Sequence, residues 1–211
     1  MEGPKDQERE PAGHTARRQL AESLRTLAGV SMLTMAGDDA LDRARALVEQ
    51  AIGELSGARR SSRYEGTAGL SPGVAAANEA VWETHAAFGA SNPMAPPVVA
   101  EDLPDGVRAT VTFGPAHEGG PGSVYGGFVA AAFDGVLGRA VIGSGRIGVT
   151  RSLTVRFLLP TPLSTPLRME ASVTGAEGRD VRVSGRLRAG DRVTAEAEAV
   201  FACVEADRYR F

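Results

Sequence analysis

One abrupt change of character limits what this chain can fold into. Residues 117–138 read His-Glu-Gly-Gly-Pro-Gly-Ser-Val-Tyr-Gly-Gly-Phe-Val-Ala-Ala-Ala-Phe-Asp-Gly-Val-Leu-Gly. A glycine- and proline-rich loop runs into a helix, expected over about 127–142, that is apolar nearly all round and carries one carboxylate, Asp134. A helix of that kind has to be covered by other elements. An acid within it needs a partner or a purpose, because desolvating a carboxylate is costly. Gly126 and Gly127 stand where the helix begins, and a helix start offers unpaired backbone N–H groups and the positive end of the dipole. Without side chains, the two glycines let a ligand oxygen come close to those amides. An amide cradle and an isolated acid are two parts of an acyl-transfer site, where negative charge grows on a carbonyl oxygen.

The rest of the chain supplies the cover. Residues 1 to about 15 are charged, with Gly and Pro, and are expected to be disordered. Leu20, Leu24 and Leu27 then recur at helical spacing over 16–27. A second helix is expected from Asp38 or Asp39 to Gly57, with Leu41, Ala44, Leu47, Val48, Ala51, Ile52 and Leu55 as its apolar face. Residues 58–66, with Arg59, Arg60 and Arg63, read as a linker, and 74–88 as a short helix or irregular segment. The three prolines of 92–97 exclude regular structure there. From Gly106 to Phe113 apolar residues alternate with polar ones, as in a half-buried strand. Four further strands are expected, near 146–158, 166–176, 180–189 and 192–204. The last three are joined by short turns at Gly178 and Gly190. The order is strand, long helix, then antiparallel meander, an α+β pattern in which one helix covers one sheet face. Domain limits follow: an extension over 1–64 and the main domain over 65–211.

Several function classes are disfavoured. The net charge of −3 leaves no basic footprint for nucleic acid. No membrane-spanning run and no signal-peptide profile is expected, and the lone cysteine, Cys203, reads as an inert core thiol. A cytoplasmic protein is therefore the expectation. His14, His85 and His117 are scattered without ligand spacing, so no metal is expected.

His117-Glu118-Gly119, Pro121-Gly122 and Tyr125-Gly126-Gly127, with Asp134 seven residues on, resemble the motif of the PaaI-like hotdog-fold acyl-CoA thioesterases. The block Thr150-Arg-Ser-Leu-Thr-Val-Arg-Phe157, followed by Pro160 and Pro162, resembles that family's central strand and proline turn. The resemblance covers about 92–204. It implies a hotdog fold, an antiparallel sheet wrapped around the long helix, assembled as a homodimer or tetramer. It also implies hydrolysis of acyl-CoA or acyl carrier protein thioesters, with coenzyme A as part of the substrate and no separate cofactor. One position departs: Tyr125 stands where the family has histidine, and tyrosine stays neutral near pH 7.

On this reading Asp134 is the general base or the nucleophile, Gly126 and Gly127 bind the carbonyl oxygen, and Thr150 helps hold the attacking water. Tyr125 shapes the carbonyl site. Phe128, Phe133 and Phe157 are candidate acyl lining, and Arg151 and Arg156, with Arg139 and Arg146, are candidates for the coenzyme A phosphates. His117, in the loop, is a candidate second imidazole. Asp134 lies about 12 Å along the helix from Gly126. Both cannot touch one thioester carbon, which needs contacts of about 3 Å, so the site is expected between two protomers. The amphipathic second helix is expected to cap the sheet, lid the acyl site or build the oligomer. Two other readings remain: a non-catalytic acyl-CoA binder, favoured by Tyr125, and a hotdog dehydratase or hydratase, disfavoured by the lack of a helix histidine.

Overall fold

The computed structural model describes residues 12–57 and 82–203. The basic segment 58–66, residues 74–81 and the boundary at 64/65 lie outside the described residues. Two helices come first, α1 (Ala12–Leu33) and α2 (Asp38–Ser56). Strands β1 (Val98–Leu103) and β2 (Gly106–Val111) follow, then a 3-10 turn (Pro115–His117) and helix α3 (Gly126–Gly143). Strands β3 (Gly148–Phe157), β4 (Leu167–Glu177), β5 (Asp180–Ala189) and β6 (Arg192–Cys203) complete the order.

All six strands form one antiparallel sheet in the order β1-β2-β4-β5-β6-β3. Alternation decides which face is covered. Val107, Ala109 and Val111 on β2, Leu167, Met169 and Ala171 on β4, and Val181, Val183 and Leu187 on β5 all point inward and are buried. Among the outward positions, charged residues pair across strands, as in Arg186–Glu196 at 3.1 Å. Helix α3 lies across the inner face and buries Val129, Phe133, Val136, Leu137 and Val141 against it. This sheet wrapped around a long helix is the hotdog arrangement implied by the motif. By length and hydropathy α3 is long and apolar enough to cross a membrane, contrary to the sequence expectation. The sheet accounts for that composition, since it takes up the apolar face of the helix.

Residues 82–97 cover the other flank of α3. Phe88 packs so close to the helix that a Cβ on Gly135 would meet its ring at 2.6 Å. Arg139 of α3 pairs with Asp102 at 2.7 Å and lies over the Trp82 ring. Between sheet and flank one stripe of α3 stays open, carrying Gly127, Ala131 and the half-buried Asp134.

Four expectations need correction. Strand β1, missed because Val-Val-Ala-Glu-Asp-Leu has no clean alternation, is held by pairing with β2 from Val98↔Val111 to Leu103↔Gly106. Helix α1 runs well beyond 16–27 at both ends. Helix α2 has the expected limits, yet none of its residues is buried, so among the described residues it caps nothing. Cys203 is half-buried at the end of β6, packed against the core rather than enclosed in it.

Candidate active site

Strand β3 forms one free edge of the sheet and runs antiparallel to β6. Leu153 pairs with Ala199 and Val155 with Ala197, so these face inward. Strict alternation would also turn Arg151 inward. A bulge between Thr150 and Ser152 shifts the phase, and Thr150 pairs instead with the buried Phe201. Bulges re-aim side chains in this way. Thr150 therefore faces α3, and its Oγ1 donates to Asp134 Oδ1 at 2.7 Å. Arg151 is turned away and pairs with Asp180 at 2.9 Å.

The helix start has its own geometry. Tyr125 is the N-cap in extended conformation, and its side chain makes no capping hydrogen bond. Its carbonyl accepts from Phe128 N–H at 3.0 Å. Gly126 and Gly127 precede the first of these bonds, where helix amides lack intrahelical acceptors. Each glycine lies under an aromatic ring. A Cβ on Gly127 would come within 2.5 Å of Tyr125 Cε1, and one on Gly126 within 3.1 Å of Phe157 Cζ. The diglycine thus makes room for two rings as well as exposing amides. The Tyr125 ring is itself 59% exposed and meets Phe128 edge-on, with centroids 6.1 Å apart.

The remaining candidates divide. Phe128 is half-buried and borders a cleft described below, whereas Phe133 is 1% exposed, a core residue with no open face, and is no acyl lining. Arg156 is exposed and stands 3.9 Å from Glu196, so its charge is partly engaged on the outer sheet face. His117 is not a mobile surface residue: it ends the 3-10 turn, is 8% exposed and packs edge-on against Phe128 with centroids 4.7 Å apart. Its Nδ1 lies 3.2 Å from Gly114 N. Burial lowers its pKa; the contact with the Gly114 backbone opposes this, and the Arg25 charge adds to the lowering. Among the described residues no three His, Cys, Asp or Glu side chains gather where a metal could be held.

Sequence reasoning missed the part played by α1. Its inner face carries Arg18, Ala21, Arg25 and Gly29 rather than the leucines, so the apolar period pointed to the wrong side. Arg18 Nε lies 3.1 Å from both carboxylate oxygens of the buried Glu83, which also accepts from Ser91 at 2.6 Å. Arg25 donates to the carbonyls of Ala90 and Asn92. These contacts hold α1 against residues 83–92, while Gly29 approaches Pro115 of the 3-10 turn, and a cleft lies between α1 and that turn.

Comparison with known proteins agrees with the geometry. The thioesterase superfamily model matches residues 121–196, which span the loop, α3, and β3 through most of β6. A crystal structure described as a thioesterase superfamily protein is 28% identical, with a TM-score of 0.74 over 88% of this chain and 94% of its own. A hypothetical thioesterase from Streptococcus pneumoniae TIGR4, solved with coenzyme A, is 19% identical over 52% of this chain and 90% of its own, with a TM-score of 0.49. The Escherichia coli PaaI protein of the phenylacetic acid degradation operon is 18% identical over 50% of this chain and 82% of its own, at 0.47. From the loop through most of β6 the chain is thus similar to thioesterase superfamily proteins, and its fold is similar to theirs.

Proposed function

We propose that this protein hydrolyses acyl thioesters of coenzyme A or of acyl carrier protein. The observation that carries the reading is the Thr150–Asp134 hydrogen bond, which sets an oriented carboxylate on the open stripe of a helix whose start exposes the diglycine amides. In the proposed reaction the carbonyl oxygen accepts from the Gly126 and Gly127 amides. Asp134 takes a proton from water, whose oxygen adds to the carbonyl carbon. The C–S bond then breaks, and the departing sulfur receives the proton. Direct attack by Asp134, giving a mixed anhydride that water opens, is the alternative course.

Both groups sit on one face of α3, about 10 Å apart at 1.5 Å per residue. One thioester cannot meet both within a single chain. The reading therefore includes a homodimer in which α3 of one protomer passes antiparallel to α3 of its partner beside the free β3 edge. The diglycine of each then faces the acid of the other.

A panel of acyl-CoA substrates, with release of free thiol measured for wild type and Asp134→Asn, tests the proposal. Turnover that Asp134→Asn abolishes supports it. A second reading, a non-catalytic acyl-CoA binder, is favoured by Tyr125 in place of the family's histidine; tight binding without turnover would establish it.

A further inference from the structure

The cleft beside α1 has no part in the chemistry above. It encloses about 700 Å³, within the range of small-molecule sites. Val30 and Leu33 of α1 form one wall, Met94 and Pro115 another, and His117 and Phe128 the inner end. Val30, Leu33 and Met94 are 58%, 63% and 76% exposed, apolar surface that an occupant would remove from water. The charges at the rim are engaged: Arg25 pairs with Glu22 at 2.9 Å as well as with loop carbonyls. His117 is held toward its neutral form by the same surroundings. Such a cleft selects an uncharged, apolar occupant. Its position gives the second constraint, because Phe128 directly follows Gly127, so the inner end lies one residue from the amide cradle. The smaller cleft under Phe157, about 380 Å³, opens on a different face of the same helix start, beside Gly126 and Val129.

We infer that the cleft between α1 and the 3-10 turn is the acyl subsite, and that α1 sets which aliphatic acyl groups are accepted. This rests on the thioesterase reading. An acyl chain running from a carbonyl at the diglycine past Phe128 would lie along Val30 and Leu33. Each methylene that enters should raise kcat/KM by about fourfold until the cleft is full.

The test uses the full chain with acyl-CoAs from acetyl to dodecanoyl, and Val30→Trp, Leu33→Asp and Ser23→Trp, the last on α1 but outside the cleft. The expected result is a fall of about tenfold or more in the decanoyl-to-acetyl ratio of kcat/KM for Val30→Trp and Leu33→Asp, with the Ser23→Trp ratio that of wild type. Equal ratios in all four proteins would overturn the inference. Calorimetric titration with decanoate separates this from the hydrolase reading. Without any turnover, binding weakened about tenfold in both cleft variants keeps the subsite and removes only the hydrolysis, whereas undiminished binding removes the subsite.

Discussion

Thr150 on the free-edge strand donates a 2.7 Å hydrogen bond to Asp134, the only acid of α3. The bond fixes one carboxylate oxygen, and in the proposed hydrolysis the second accepts from water. Replacing Asp134 by Asn keeps the shape and removes the proposed base or nucleophile, so kcat should fall about 100-fold or more. Thr150→Val should lower kcat about tenfold with KM little changed, the effect of losing one hydrogen bond to a charged group. Thr150→Ser should restore most of it. Steady-state thiol release from one good substrate measures all three. A fully active Thr150→Val would make the bond structural.

Gly127 and the Tyr125 ring occupy contiguous space, with 2.5 Å between a would-be Cβ and the ring. Gly127→Ala must push the ring aside. The ring is largely exposed and can move, so the cost should be about 1 kcal/mol, the low end for overpacking. Denaturant unfolding of Gly127→Ala in wild-type and Tyr125→Ala backgrounds checks this: the cost should shrink when the ring is gone. Equal costs would mean that the glycine is required for another reason.

The sheet-on-helix core was legible because its signals are local. The alternation of β2, the glycine turns at 178 and 190 and the apolar run of α3 each declare themselves within about ten residues. Asp134 and the diglycine were legible as anomalies in that run. What could not be read needed two distant segments at once. Strand β1 exists through its partner β2, the 3-10 turn buries His117 because α1 and Phe128 close over it, and Thr150 turns inward only because of a bulge in the β3–β6 register. Helix α1 was misjudged because two arginines and two small residues, not leucines, face the body.

The Tyr125 side chain makes no capping hydrogen bond, and its ring packs on Gly127 and Phe128. Tyr125→Phe keeps that ring and should stay within about threefold of wild type in kcat/KM, an effect well under one hydrogen bond. Tyr125→Ala should fall further. A Phe variant as poor as the Ala variant would assign the role to the hydroxyl.

Glu83 is buried and held by Arg18 and Ser91. Arg18→Ala takes away a cationic partner of Glu83 and one tie between α1 and this segment. The arginine is one-third exposed, which moderates the loss, so about 1–3 kcal/mol of stability should go. Because α1 walls the proposed acyl subsite, the same variant should flatten the dependence of kcat/KM on chain length. Chemical denaturation reads the first effect, and the acyl-CoA series the second.

His117 links the fold to pH. Burial holds its pKa below the ordinary value, against the contact with the Gly114 backbone and with the help of the Arg25 charge. The folded pKa thus lies under the unfolded value of about 6.5, and between the two the unfolded chain binds more protons. Stability from this group is complete above the unfolded pKa and declines as pH falls through it toward the folded one. Protonation would set a cation against Phe113 and Phe128 and near Arg25, at the contact where α1 docks. His117→Gln removes the titration. Between about pH 7.5 and about pH 5.5 wild type should lose more unfolding free energy than the variant. Parallel losses in the two proteins would show that the acid sensitivity arises elsewhere.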